Sequence, residues 1–115
     1  MKLPDVEKSE VSRAKVVGYL LSTTHRAGKG KASFFMEFGF ESDHWEELAT
    51  VLKRHAMDND VVLEEKTIFG TRYVIDGVLK APDGTWLNVR SAWFIDSEGE
   101  PPRFITAHPL RRRRS

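Results

Sequence analysis

The stretch that decides the fold is APDGTWLNVRSAWFI, residues 81–95. Asp83-Gly84 is a strong reverse-turn pair, because glycine takes positive φ without a Cβ penalty and aspartate bonds its own backbone. Thr85 to Ile95 then supply the aromatic and β-branched types that suit a pleated surface. Alternation puts Leu87, Val89, Ser91, Trp93 and Ile95 on one face, and Trp86, Asn88, Arg90, Ala92 and Phe94 on the other. Both faces carry apolar groups, which predicts a central strand with two covered or concave sides.

Outward from this strand, residues 60–68 and 70–80 also alternate, though weakly. DSEGEPP interrupts the chain after Ile95, and RFITAHP (residues 103–109) predicts a last strand ended by Pro109. Before Met57 the apolar period is 3.6 rather than 2. Ser12 is a candidate N-cap for a helix over 13–21 with an apolar face of Val16, Val17, Leu20 and Leu21. A second helix, Lys31 to Phe38, would bury Phe34, Phe35 and Phe38 and close on Gly39. A third, over 43–56, would be capped by Ser42 and present Trp45, Leu48, Val51 and Leu52. The expected fold class is α+β, with three N-terminal helices packed on a four-stranded antiparallel meander sheet. Residues 1–110 are expected to form a single domain, and 111–115 a basic, frayed tail.

With 115 residues, 40% hydrophobic and 30% charged, the chain has the balance of a globular domain and no membrane-length apolar run. The absence of cysteine excludes disulfides and thiolate metal sites. The first ten residues lack the apolar region of a signal peptide, so the expected compartment is the cytoplasm. Net charge is +1, but residues 111–114 are all arginine; the rest has 14 basic against 17 acidic residues, a body of charge −3. Any recognition of polyanions must therefore use local patches, and DNA is not an expected partner.

One such patch is HRAGKGK, residues 25–31, with His25, Arg26, Lys29 and Lys31 around two glycines at a helix start. It fails the P-loop pattern, since neither lysine is followed by Ser or Thr. Free backbone N–H groups beside lysines suit a phosphate, and a solvated basic loop would look the same. Arg90 fits a phosphate clamp or a snorkelling surface residue, and Ser91 a polar site or a small core residue. Thr106 and His108 share a face of the final strand, where His108 can equally be a solvated strand-end residue. His44 and His55 lie on a helix, 11 residues apart, with no acidic partner at metal spacing. No metal and no cofactor is expected.

The pattern LP…K…YLL, HxxGxxK, FF, GF and W, followed by GxxYxV, a DG hairpin, SxW and ITAxP, resembles a bacterial domain of unknown function. That domain occurs as small stand-alone proteins and as C-terminal tips of polymorphic toxins. The resemblance spans residues 3 to 109 and rests on His25, Gly28, Lys31, Phe34, Phe35, Trp45, Tyr73, Ser91, Trp93, Thr106 and Pro109. The domain in turn is similar to the barnase–EndoU–colicin–RelE superfamily of metal-independent ribonuclease toxins. Its colicin D-like members pair Lys-x-Lys with Ser-x-Trp, here Lys29, Lys31, Ser91 and Trp93, although Ala32 stands where their histidine follows the second lysine.

The resemblance implies an endoribonuclease toxin cleaving RNA, transfer RNA included, by 2′-OH transesterification. In that reading His25, Lys31, Ser91 and Thr106 are catalytic, and Arg26, Lys29, Arg90, Trp93 and His108 bind RNA or phosphate. A cognate antitoxin or immunity protein is then an expected partner. Two other readings compete: a non-catalytic RNA- or protein-binding module of a toxin–antitoxin or phage-associated locus, and a structural partner using Trp86, Phe94 and a strand edge as its interface.

Overall fold

The computed structural model describes residues 1–24 and 29–110, with Lys29 described in its backbone alone. The DG turn closes as the sequence predicts. The Ala81 N–H donates to the Thr85 carbonyl at 2.8 Å, the Gly84 N–H to the Ala81 carbonyl at 2.9 Å, and the Thr85 N–H to Asp83 Oδ1 at 2.9 Å. Gly84 has φ +90°, the left-handed geometry that the loop requires. The turn joins β2 (Gly70–Lys80) to β3 (Trp86–Ile95), paired from Lys80↔Trp86 to Thr71↔Ile95. With β1 (Val61–Thr67) and β4 (Arg103–Pro109), the sheet is an antiparallel meander in the order β1-β2-β3-β4.

The helices precede the sheet in sequence and pack on its Ser91 face. The first, α1, starts as an α-turn over Arg13–Lys15, with Ser12 Oγ accepting the Lys15 N–H at 3.2 Å. It then widens into a π-helix, Val16–Leu20, where the Leu21 N–H reaches the Val16 carbonyl at 2.7 Å. The wide turn stacks Val16 and Leu21 on one side, so both are buried along with Leu20. Helix α2 is Lys29–Glu37. It ends in a Schellman cap: the Phe40 N–H bonds the Phe35 carbonyl at 3.3 Å, the Gly39 N–H bonds the Met36 carbonyl at 3.1 Å, and Gly39 has φ +104°. The cap brings the Phe35 and Phe40 rings edge to face, 5.9 Å apart.

Ser42 does not cap the third helix. A 3₁₀ turn, Ser42–His44, intervenes, and α3 (Trp45–Asp58) starts behind His44 with no side-chain cap. Glu46 and Glu47 in its first turn supply the negative charge that a helix N-terminus favours.

The core lies between the helices and one sheet face. It contains Leu20, Phe35, Leu48, Leu52, Ile75, Val89, Trp93 and Ala107, all fully buried. The other face of β3 is not covered as the sequence suggested. Trp86 is 64% exposed, and Phe94 is half-buried with the Arg103 guanidinium 5.2 Å from its ring centroid. Among the described residues no second layer of helices or strands lies over this face.

Gly70 opens β2 at φ +143°, and a Cβ there would run into the Ile95 carbonyl and the Phe94 ring. Gly70→Ala is therefore expected to cost about 2 kcal/mol or more. Gly30→Ala, with nothing within 4 Å of the added Cβ, should leave stability unchanged or raise it by up to about 1 kcal/mol. Urea unfolding of the two variants measures both.

Candidate functional site

Helix α3 carries a histidine on its buried stripe, Leu48, Leu52, His55 and Ala56. It approaches β2 where Gly77 offers no side chain; a Cβ at Gly77 would collide with the Asn59 amide, which itself donates to the His55 carbonyl at 2.9 Å. His55 Nε2 lies 2.9 Å from the Val89 carbonyl and 3.1 Å from that of Gly77. Carbonyls only accept, so Nε2 carries the proton. In the neutral ring Nδ1 is then an acceptor, and the Ser91 hydroxyl, at 3.1 Å, donates to it. The same Ser91 oxygen accepts the Trp93 indole N–H at 2.9 Å. Each proton in this buried chain has one direction. Burial holds the His55 pKa below its ordinary value, outweighing the carbonyl bonds and the charges of Asp76 and Asp58, which pull the other way.

This network settles where Ser91 and Trp93 stand. Both are fully buried under the helices, and both of Ser91's hydrogen-bonding functions are engaged inside the core. Neither side chain reaches a surface where a phosphate or a base arrives. Both side chains pack in the core on the face that the helices cover.

The opposite sheet face is where ionisable groups meet solvent. Asp76, Arg90 and His108 stand directly opposite one another on β2, β3 and β4. Arg90 holds Asp76 in a two-pronged ion pair, Nε to Oδ1 at 2.7 Å and Nη2 to Oδ2 at 2.8 Å. The Arg90 bonds are the main reason the Asp76 carboxyl titrates below its ordinary value, with His108 among the lesser causes. Mutually, Asp76 raises the pKa of Arg90. His108 Nδ1 donates to the Pro109 carbonyl at 3.3 Å, which leaves Nε2 as the nitrogen that can take up a proton.

Two residues back along β4, Thr106 Oγ1 is 2.9 Å from the Tyr19 hydroxyl of α1. The ammonium groups of Lys15 and Lys31 lie 5.3 Å and 5.6 Å from the Tyr19 ring centroid. A hydroxyl pair and two cations thus mark the β4 edge, next to the Asp76–Arg90–His108 row.

Four of the sequence-derived candidates, Lys31, Thr106, Arg90 and His108, therefore fall on one contiguous region. Ser91 and Trp93 lie beneath it. His25 and Arg26 are outside the described residues, as is the side chain of Lys29. Sequence reasoning missed Asp76, Tyr19 and His55. His55 was visible as the polar member of an apolar stripe, three residues after Leu52. Asp76 gave no comparable signal, because its partners lie 14 and 32 residues away in sequence. Among the described residues no three His, Cys, Asp or Glu side chains cluster as metal ligands, and no helix is long and apolar enough to cross a membrane.

These features define a class: a small α+β domain with helices on one face of a four-stranded meander and an open, charged row on the other. Residues 2–111 match a domain of unknown function (DUF6883), and the chain belongs to that family. No curated protein matches it. Among solved structures, a similar chain comes from a contact-dependent growth inhibition toxin–immunity protein complex from Klebsiella pneumoniae 342. The two share 18% identity and superimpose with a TM-score of 0.71, covering 87% of this chain and 98% of that one. At this identity the likeness is one of fold.

Removing Ser91 leaves the Trp93 N–H and His55 Nδ1 unpaired, at about 1–3 kcal/mol each, so Ser91→Ala should lose about 2–6 kcal/mol in urea unfolding. The unfolded state takes up a proton at His55 near the ordinary pKa of 6.5, while the folded state resists it. This contribution to stability is therefore complete above that value and declines as pH falls through and below it. His55→Leu should be less stable at neutral pH and should flatten the decline between pH ~7 and ~5.

Proposed function

We propose that the chain is a toxin domain that cleaves RNA, transfer RNA among its forms, without a metal ion. The observation that carries this reading is the carboxylate–guanidinium–imidazole row across β2, β3 and β4 on the uncovered sheet face. Metal-free cleavage needs a base for the 2′-OH, a cation for the crowded phosphorane and an acid for the 5′-oxygen. Asp76 and His108 flank Arg90 across two strand spacings, roughly 10 Å between backbones, which leaves room for a phosphate between their side chains.

In this scheme an arriving phosphate draws the Arg90 guanidinium onto its non-bridging oxygens. Asp76, released from its ion pair, becomes more basic and takes the 2′-OH proton. The 2′-oxygen bonds to phosphorus, the P–O5′ bond breaks, and the His108 imidazolium passes its Nε2 proton to the departing 5′-oxygen. The products are a 2′,3′-cyclic phosphate and a 5′-hydroxyl. Thr106 and Tyr19 position the adjoining nucleotide, and Lys15 and Lys31 attract its phosphates. His25 and Arg26, proposed from the sequence for the same chemistry, lie outside the described residues, and Lys29, proposed with them, is described in backbone alone. The fold shared with a chain of a toxin–immunity complex supports a toxin-related role, and with it a cognate immunity protein as partner; a cytoplasmic site of action belongs to the same reading.

The test is cleavage of total RNA and bulk transfer RNA with EDTA present, with product ends analysed. Wild type should leave cyclic phosphate ends. Asp76→Asn, Arg90→Gln and His108→Gln should each lower the rate by about 100-fold or more. Lys31→Ala should act mainly through KM. Folded wild type that cleaves neither substrate, or a row whose three variants keep full activity, would refute the nuclease reading and leave the binding-module reading in its place.

A further inference from the structure

The N-terminal segment ties both edges of the sheet where their strands begin, at β1 through the Val61 N–H, which donates to the Met1 carbonyl at 2.7 Å, and the two edges differ beyond that point. The start of the β4 edge is covered by the N-terminal segment: the Phe104 N–H donates to the Glu10 carbonyl at 2.9 Å, and the Glu10 N–H to the Pro102 carbonyl at 2.9 Å. Along β1 and the turn that follows it, every side chain from Val62 to Phe69 is exposed, and no described strand pairs with the outer side of β1. Four of these side chains are large and apolar: Val62 at 55% exposure, Leu63 at 46%, Ile68 at 93% and Phe69 at 77%. A bare edge of this kind is a template for another strand.

We infer that the occupant of this edge is β1 of a second copy of the chain, paired antiparallel about a two-fold axis through Glu65. An antiparallel pair of identical strands needs its axis perpendicular to the sheet, so that each residue keeps its face. The axis must then pass through a residue, and charge selects which one. An axis at Glu64 would set the two Glu64 side chains against each other and Leu63 against Glu65. An axis at Lys66 would oppose the two lysines. An axis at Glu65 places Glu64 opposite the partner's Lys66, twice by symmetry. The two Glu65 carboxylates then meet on the dyad, where each is already held by its own Arg72 at 2.8 Å. The result is a continuous eight-stranded sheet with both Asp76–Arg90–His108 rows on the same, uncovered side. The inference is independent of the proposed cleavage activity.

The test is sedimentation velocity of the purified chain over a range of concentrations, alongside thermal unfolding to confirm that each variant is folded. Wild type should shift from about 13.2 kDa toward twice that mass as concentration rises. Glu64→Lys and Lys66→Glu each turn both symmetric pairs into like-charge pairs, and each should weaken the dimer about tenfold or more. The double variant E64K/K66E restores opposite charges and should recover the wild-type dimer. Wild type that stays monomeric, or folded single variants that the double variant does not rescue, overturns the inference.

Discussion

A neutral imidazole fastens the helical layer to the sheet. His55 donates to strand carbonyls through Nε2 and accepts from Ser91 through Nδ1, while Ser91 accepts the Trp93 N–H. The chain works only with one tautomer and one charge state. Protonating Nδ1 would turn the Ser91 hydroxyl away from its acceptor and put a cation in the core, and burial opposes that charge. Because this polar chain is fully paired, the surrounding core can close over it. Trp93, the largest buried side chain, packs edge to face on Phe104 at 5.4 Å.

With one face committed to packing, the other is free for chemistry. The Asp76–Arg90 pair is partly open to water, its side chains 28% and 40% exposed. A guanidinium whose counter-ion is a single carboxylate can turn to a phosphate with little rearrangement, since both offer two oxygens to the same fork. The two faces thus divide the polar residues of the sheet by role: Ser91 and His55 hold the fold, while Asp76, Arg90 and His108 meet solvent.

The edges divide in the same way. At β4, the Glu10 bridge and the Tyr19–Thr106 contact tie the N-terminal elements to the last strand, which orders the rim on which Lys15 and Lys31 sit. The π-helical turn contributes to this arrangement. By spending an extra residue between Val16 and Leu21, it sends both into the core and leaves Tyr19 between them to reach β4. At β1 the N-terminus holds only the first residue, the Val61 N–H donating to the Met1 carbonyl at 2.7 Å, and beyond it no described strand pairs with the outer side.

The sequence by itself determined the elements and their order. The DG turn, the Gly39 cap, Ser12 and the change of apolar period after Met57 are local signals, carried by neighbours within a few residues, and the structure follows them closely. The Ser42 cap was misplaced because an added 3₁₀ turn shifts a helix start without altering the apolar pattern. What only the tertiary structure decided is which face of β3 is covered and which side chains meet across strands. Alternation tells that Ser91 and Arg90 point to opposite sides, yet it is silent on which side receives the helices, since both sides carry aromatic residues. That choice came from long-range packing of α3 against Gly77 and Val89, and it placed Ser91 in the core. The same packing left Asp76, Arg90 and His108 together at the surface, a meeting of residues far apart in the chain that no local pattern encodes.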